Sequence, residues 1–174
     1  VMQLRDAGKF RLDTPVGELL PWFDLQRAHA GSPEITVEGL LTHSAGLPRE
    51  SDTPYWMGPD FAFPTRAEVR ELLGTQATLY PAQRYFQYSN LGLTLVGEIV
   101  QETSGIDYHE YVRANILDPL GMQDTYSDIP EQHRGNQLAT GYSSLTRDGG
   151  REPVEFFQAR GIAPAAGYAS TALD

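Results

Sequence analysis

Apolar side chains recur every three or four residues in several stretches of the chain, and this spacing predicts helices. The most regular stretch is 89–105, where the repeat falls on every fourth residue. The repeating side chains are Leu91, Leu95 and Ile99. Ser89 suits an N-cap and Gly105 a C-terminal stop. We therefore predict that 89–105 is the central helix.

Two glycines interrupt this apolar face, at Gly92 and Gly97. Each costs about 1 kcal/mol relative to alanine inside a helix. A glycine that is kept at such a cost suggests that another segment comes very near. We therefore expect the backbone of a neighbouring segment to approach the helix closely at both positions.

Shorter helices are predicted on the N-terminal side of the central helix. Residues 1–8 are typical of the last turns of a helix that ends in glycine. Thr36 suits the N-cap of a short helix that runs to His43. Thr65 and Glu68 have the spacing of a capping box, followed by an apolar face.

The sequence pattern after the central helix predicts one more helix, followed by irregular structure. Asp107 is a candidate N-cap, Ile116 belongs to the predicted inward face, and Pro119 is expected to end the helix. Turn residues dominate 123–169, which we predict to be an irregular arm. Within this arm, the short extended pieces 138–142 and 153–157 are candidates for a small antiparallel pair.

The segment 49–64 combines three prolines with several large aromatic and apolar side chains. Tyr55 and Trp56 are among them. A loop this apolar has to pack against the core or bind something. Taken together, the patterns predict a mainly α fold with short irregular and β pieces.

Composition and charge restrict the classes of function that this protein could have. The 174 residues suit one domain, and the net charge of −10 argues against binding to nucleic acid or anionic lipid. The longest apolar run, 91–97, is much shorter than the roughly 20 residues that span a bilayer, so no membrane span is predicted. Cysteine is absent, which excludes thiolate chemistry, and Lys9 is the only lysine.

Metal and nucleotide motifs are incomplete or missing. His109 and Glu110 begin an H-E-x-x-H pattern, but Arg113 stands where the second histidine is required. The sequence contains neither G-x-G-x-x-G nor a Walker loop. We therefore predict no metal and no organic cofactor. Ser44 stands in a partial G-x-S-x-G pattern that lacks its first glycine, and is interpreted as a helix-terminus hydroxyl.

Five strings occur in a distinctive order. They are VMQLRDAGKFRLDTPV at the start, LLTHSAGLP at 40–48, YSN at 88–90 running into LGLTLVGEIVQETSG, ILDPLGMQDT at 116–125, and AAGYASTALD at the end. Together they resemble the serine β-lactamase and penicillin-binding-protein superfamily, with the nearest likeness to its class C, esterase and D-stereospecific peptidase branch. The resemblance implies that 1–174 is the helical, substrate-roofing domain of a two-domain α/β serine hydrolase, with the sheet domain absent from this chain.

The resemblance also implies roles for particular residues. Tyr88 and Asn90 match the family's Y-x-N triplet. Tyr88 would then shuttle a proton between nucleophile and leaving group, and Asn90 would hydrogen-bond the acyl side chain and help hold the catalytic lysine. Ser89, Tyr55 and Trp56 are candidate substrate-binding residues. The substrate would be a small-molecule ester, a β-lactam or a peptide.

The nucleophile itself is missing from the sequence. The family carries it in an S-x-x-K element just before the stretch that 1–8 resembles, so 1–8 is interpreted as the end of the nucleophile-bearing helix. With Lys9 the element would need serine at position 6, where Asp6 stands. The family's K-T-G element is absent as well, because Lys9 is followed by Phe10 and Arg11, and we expect the edge strand that carries the family's third element to lie outside this chain. We therefore predict that this chain alone is inactive and that its partner is the sheet domain of the same protein.

Electrostatics supports the same expectation. A free phenol ionises near pH 10, and making it a base at neutral pH takes about 4 kcal/mol, which nearby cations normally supply. An acidic chain with one lysine is expected to lack such an environment around Tyr88.

Several alternatives stay open. Without the resemblance, the same pattern predicts that Tyr88 is part of a hydrophobic staple and that Ser89 or Asn90 is an ordinary N-cap. Tyr55 and Trp56 suit core packing as well as a substrate wall. The parent protein could be a non-catalytic binding or scaffolding relative, or a separate chain could complete the site in trans. The sequence leaves localisation open.

Overall fold

The computed structural model describes residues 1–52, 55–57 and 61–174, which consist mainly of helices and loops. The helices are α1 (Met2–Asp6), α2 (Val16–Leu19), α3 (Val37–Leu41), α4 (Arg66–Leu73), α5 (Asn90–Ser104), α6 (Tyr108–Val112), α7 (Asp118–Leu120) and α8 (Ala163–Ala166). A π-helical turn, Arg113–Leu117, joins α6 to α7, and 3₁₀ turns occupy Glu131–His133 and Arg160–Ile162. In these ranges, β structure is limited to isolated bridges.

Helix α5 is the element around which the others pack. Its apolar stripe is fully buried. Ser89 caps it by accepting the amide N–H of Gly92 at 2.9 Å, and Gly105 ends it with a left-handed φ of 71°. Helices α3, α6 and α8 lie against it. The observed helix therefore coincides with the one that the apolar spacing predicts.

The two glycines of α5 differ in their surroundings. A Cβ at Gly97 would lie 2.2 Å from Cγ of Pro164, so α8 sits directly on this position. The close neighbour is a proline ring and not the backbone we predicted. At Gly92 the nearest atoms would lie at 3.5 to 3.6 Å, an ordinary contact distance that includes the carbonyl of Leu40. The predicted close approach at Gly92 is therefore wrong.

A buried carboxylate fastens α4 to α5. Glu98 is only 4% exposed and accepts hydrogen bonds from Arg66 at 2.6 and 2.8 Å and from Arg70 at 2.6 and 3.0 Å. Charge-assisted pairs of this kind are strong because each guanidinium offers donors in a fixed fork. The predicted capping box of Thr65 and Glu68 begins α4 as expected.

The π-helical turn changes which side chains face inward. A π turn uses five residues where an α turn uses four, so the buried face advances by one position. Leu117 is buried at 3% exposure, whereas Ile116 is 38% exposed. Our prediction that Ile116 faces inward is therefore wrong.

Pro119 does not end the helix either. It stands in α7, directly after the π-helical turn, and the helix ends one residue later, at Leu120. Gly121 then adopts a left-handed φ of 72°.

The arm from 123 to 169 contains the predicted pairing in a reduced form. Tyr142 and Pro153 form an isolated antiparallel bridge, and the amide of Val154 donates to the carbonyl of Gly141 at 2.8 Å.

Helix α3 starts at the predicted cap, Thr36, but it ends at Leu41 and does not reach His43 as predicted. Of the segment 49–64, residues 53, 54 and 58–60 lie outside the described residues.

Candidate functional site

The triplet 88–90 lies at the start of α5 and is fixed to the segment that follows α3. The amide of Ser89 donates to Nδ1 of His43 at 3.2 Å, and the amide of Asn90 donates to the carbonyl of Arg49 at 2.8 Å. His43 adopts a left-handed φ of 56°, unusual for a residue other than glycine. This local turn carries its ring to the triplet.

Tyr88 is at the surface and is 42% exposed. The His43 ring lies with its centroid 4.6 Å from that of Tyr88. The guanidinium of Arg49 stands over the Tyr88 ring, 5.3 Å from its centroid. Our expectation that no cation lies near this phenol is therefore wrong, because folding brings an arginine to it from a segment remote in sequence.

Asn90 is nearly buried, at 4% exposure, and its amide is held by a carboxylate. Its Nδ2 donates to Oε1 of Glu50 at 2.7 Å. The same carboxylate accepts the indole N–H of Trp56 at 3.1 Å and the hydroxyl of Tyr55. Glu50 thus joins Asn90 to the aromatic segment.

The two aromatic candidates differ in position. Tyr55 is 1% exposed, and burial raises the pKa of its phenol, with the hydrogen bond to Glu50 adding to the effect. Trp56 is 43% exposed and its ring meets that of Phe63 edge-on at 5.0 Å. Between the alternatives for Tyr55, its position favours core packing. Trp56 keeps part of its ring at the surface.

Ser89 uses its hydroxyl within the fold. It is 3% exposed, accepts the amide N–H of Gly92 and donates to the carbonyl of Pro48 at 2.6 Å. The hydroxyl therefore serves as the N-cap of α5. At 3% exposure, this hydroxyl presents almost no surface to a substrate.

Arg49 and Glu50 were not singled out from the sequence, although both directly follow the string LLTHSAGLP. Proximity to that string is the one signal available for them. Their contacts with 88–90 depend on how the segment after α3 crosses the start of α5. The spacing of residues along the chain does not predict which segments cross in this way.

In the described ranges, no group of three or more His, Asp or Glu side chains could hold a metal ion. His109 and Ser127 share a hydrogen bond of 2.8 Å, and Ser127 is 7% exposed, so this pair ties α6 to the arm. None of the helices in the same ranges has the length and apolarity needed to cross a bilayer.

Comparison with known proteins identifies the relatives of this chain. The family model described as Beta-lactamase matches residues 1–174. The chain is 32% identical over 140 residues to the D-alanyl-D-alanine-carboxypeptidase/endopeptidase AmpH of Escherichia coli strain K12, covering 80% of this chain and 36% of AmpH. It is 30% identical over 170 residues to the esterase EstB of Burkholderia gladioli, covering 88% of this chain and 40% of EstB.

A solved structure supports the same relationship. The octameric penicillin-binding protein homologue from Pyrococcus abyssi superposes with a TM-score of 0.78 at 30% identity, covering 99% of this chain and 39% of that one. The chain thus spans about two fifths or less of the length of the relatives described here.

Proposed function

Because the chain belongs to the beta-lactamase family, we propose that it supplies the Tyr-x-Asn element of a serine hydrolase that works through an acyl-enzyme. In this proposal Tyr88 transfers a proton between the attacking hydroxyl and the leaving group. Asn90 positions the acyl portion of the substrate and the catalytic lysine. The bond cleaved is an ester, a β-lactam or a peptide bond, in keeping with the names of the relatives.

The observation that carries this proposal is the setting of Tyr88. Its ring is partly exposed, lies 4.6 Å from the ring of His43 and 5.3 Å from the guanidinium of Arg49, and precedes the buried Asn90 by two residues. A general acid–base group has to reach its substrate, and it has to change charge during the reaction. Exposure supplies the first condition. The guanidinium of Arg49 lies over the face of the ring, so the surroundings of Tyr88 include a cation.

The nucleophile has to come from elsewhere in the protein. The 174 residues contain no S-x-x-K, and Lys9 is their only lysine. We propose that this element, the oxyanion-hole strand and the sheet domain that bears it lie outside the 174 residues, either in the same polypeptide or in a second chain. The serine attacks the carbonyl and the strand stabilises the resulting oxyanion.

The test uses the full-length protein that contains this chain. We expect stoichiometric labelling by a fluorophosphonate probe and turnover of at least one of p-nitrophenyl butyrate, nitrocefin and D-alanine p-nitroanilide. Tyr88→Phe removes the proton-transferring hydroxyl and should lower kcat by roughly 10²- to 10⁴-fold. Tyr85→Phe is the matched control, since Tyr85 is 54% exposed and packs against Tyr80.

Two results would contradict the proposal. Full kcat in Tyr88→Phe would remove the assigned role from Tyr88. The absence of both labelling and turnover in the full-length protein would favour a non-catalytic binding or scaffolding relative. The 174-residue chain alone should not be labelled, and stoichiometric labelling of it would place the nucleophile within this sequence.

A further inference from the structure

His43 contacts each of the four residues that lead into α5. Its backbone carbonyl accepts the amide N–H of Gln87 at 2.8 Å, and its Nδ1 accepts the amide N–H of Ser89 at 3.2 Å. Its ring meets that of Phe86 edge-on, with the centroids 5.7 Å apart. The same ring lies 4.6 Å from that of Tyr88. One residue therefore holds this stretch by two hydrogen bonds and two ring contacts.

The hydrogen bond to Ser89 requires one form of the His43 ring. A ring nitrogen accepts a hydrogen bond only when it carries no proton, so the neutral ring has its proton on Nε2. A proton on Nδ1 would face the N–H of Ser89, and two donors do not bond to each other. The bond is therefore made by the acceptor on the δ atom of this side chain.

The backbone of His43 is held in a conformation that residues other than glycine seldom adopt. Its φ of 56° lies in the left-handed region, and such a conformation persists where the surrounding structure fixes it. The fixing contacts continue along the chain. The carbonyl of Ser44 accepts the amide N–H of Gln83 at 2.7 Å. The carbonyl of Gly46 accepts that of Leu79 at 2.8 Å. The turn at His43 is thus bonded to the whole stretch that leads to Tyr88.

The other surroundings of Tyr88 constrain its ring less. Tyr88 is 42% exposed, so burial does not fix its position. The guanidinium of Arg49 lies over the ring, but the Arg49 side chain is 66% exposed, and a long exposed side chain keeps much of its rotamer freedom. His43 is the more rigid support, because its own backbone is bonded on both sides of Tyr88.

From these contacts we infer that His43 is a positioning residue for the reaction. It fixes the backbone before and after Tyr88 and packs against the Tyr88 ring, so that the phenol hydroxyl lies where proton transfer needs it. The inference rests on the proposed hydrolase function. His43 acts through Tyr88 and touches no reacting atom. A misplacement of about 1 Å in a catalytic group can lower a rate by roughly 100-fold, so the loss of His43 should be visible in kcat.

The test compares two substitutions in the full-length enzyme. Glycine and asparagine both tolerate the left-handed backbone, but only asparagine keeps an acceptor on the δ atom, since its Oδ1 is bonded to Cγ as Nδ1 is in histidine. We expect His43→Gly to lower kcat by roughly 10- to 100-fold with KM little changed. His43→Asn should recover most of that loss. The end point of fluorophosphonate labelling counts the active sites, so kcat refers to folded enzyme alone.

A double-mutant cycle distinguishes positioning from a general structural effect. If His43 acts through Tyr88, then His43→Gly should lower kcat no further in an enzyme that already carries Tyr88→Phe. A substitution that merely loosens the fold would lower kcat by the same factor in both backgrounds.

The matched control is His133→Gly in the arm. His133 also lies beside a tyrosine, with its ring centroid 5.1 Å from that of Tyr126 and its Nε2 hydrogen-bonded to the Tyr126 hydroxyl at 3.1 Å. The same change at this site should leave kcat per labelled enzyme unchanged. An equal loss in His133→Gly would count against a specific role for His43.

Amide hydrogen exchange in the wild-type enzyme needs no variant. The amides of Gln87 and Ser89 should exchange slowly although Tyr88 between them is exposed, because each donates to His43. Fast exchange at either amide would overturn the inference.

The outcomes separate the two proposals. Full kcat in His43→Gly, no recovery in His43→Asn, or an equal loss in the Tyr88→Phe background would overturn the inference while leaving the hydrolase function intact. A full-length protein without labelling or turnover would instead refute the proposed function itself.

Discussion

Replacing Gly97 with alanine tests the packing of α8 on the central helix. The new Cβ would lie 2.2 Å from Cγ and 2.5 Å from Cβ of Pro164, about 1 Å or more inside the optimal carbon–carbon separation of about 3.5 Å. A proline ring cannot rotate out of the way, so α8 itself has to move. Overpacking of this kind typically costs about 1 to 3 kcal/mol.

The gain that opposes this cost is the helix propensity of alanine. It is at most about 1 kcal/mol relative to glycine. We therefore expect Gly97→Ala to lower the free energy of unfolding by up to about 2 kcal/mol, the overpacking cost less the propensity gain. Urea titration followed by circular dichroism at 222 nm measures this quantity directly.

Gly92→Ala is the matched control because it makes the same substitution in the same helix. Its nearest neighbours would lie at 3.5 to 3.6 Å, so the propensity gain is not opposed by a clash. We expect this variant to be as stable as the wild type or more stable. Combining Gly97→Ala with Pro164→Gly removes both clashing atoms and should give a favourable coupling energy in a double-mutant cycle. If Gly97→Ala proved as stable as Gly92→Ala, the packing argument would be refuted.

Two further predictions concern the charged groups of α4 and α5. Hydrogen bonds from the amide and hydroxyl of Thr65 lower the pKa of Glu68 below 4.5, so the stability that this pair contributes is full above pH 4.5 and is lost as the pH falls through the lowered value. Thr65→Ala should lower the free energy of unfolding by about 1 kcal/mol near neutral pH. It should also reduce the loss of stability as the pH falls below 4.5, measured as unfolding free energy against pH. The same loss in the variant as in the wild type would contradict this. Glu98→Gln leaves two one-third-exposed arginines of α4 without their carboxylate and should cost about 2 to 3 kcal/mol in urea unfolding. Glu102→Gln, at a 37% exposed side chain with a single arginine contact, should cost under about 1 kcal/mol, and equal losses in the two variants would count against the role of burial.

The helix prediction succeeded where the signal is local. Thr36, Thr65 and Ser89 cap helices as expected, because an N-cap needs only a side-chain oxygen two or three residues before an unpaired amide. It failed at Ile116 and Pro119, where one π-helical turn advanced the buried face and let the helix continue past proline. An apolar repeat of a few residues is too short to show that the helix changes from the α to the π period.

In the candidate site as well, the sequence indicated some residues and missed others. Tyr88 and Asn90 were found from a short motif; in the structure Asn90 is the first residue of α5 and Tyr88 precedes its cap, Ser89. Tyr55 and Trp56 are adjacent in sequence, yet one is buried and the other exposed, a difference that composition does not predict. Arg49 and Glu50, which contact the motif most directly, were missed.

The sequence by itself determined the central helix and the caps of α3, α4 and α5, which depend on residues within a turn or two of one another, and it determined the family through five strings in a fixed order. Only the tertiary structure decided that Arg49 lies over Tyr88, that Glu50 holds Asn90, and that Pro164 fills the space above Gly97. The physical reason is that such contacts join segments far apart along the chain. Their partners are chosen by how whole elements pack together, and no local preference of either residue specifies that choice.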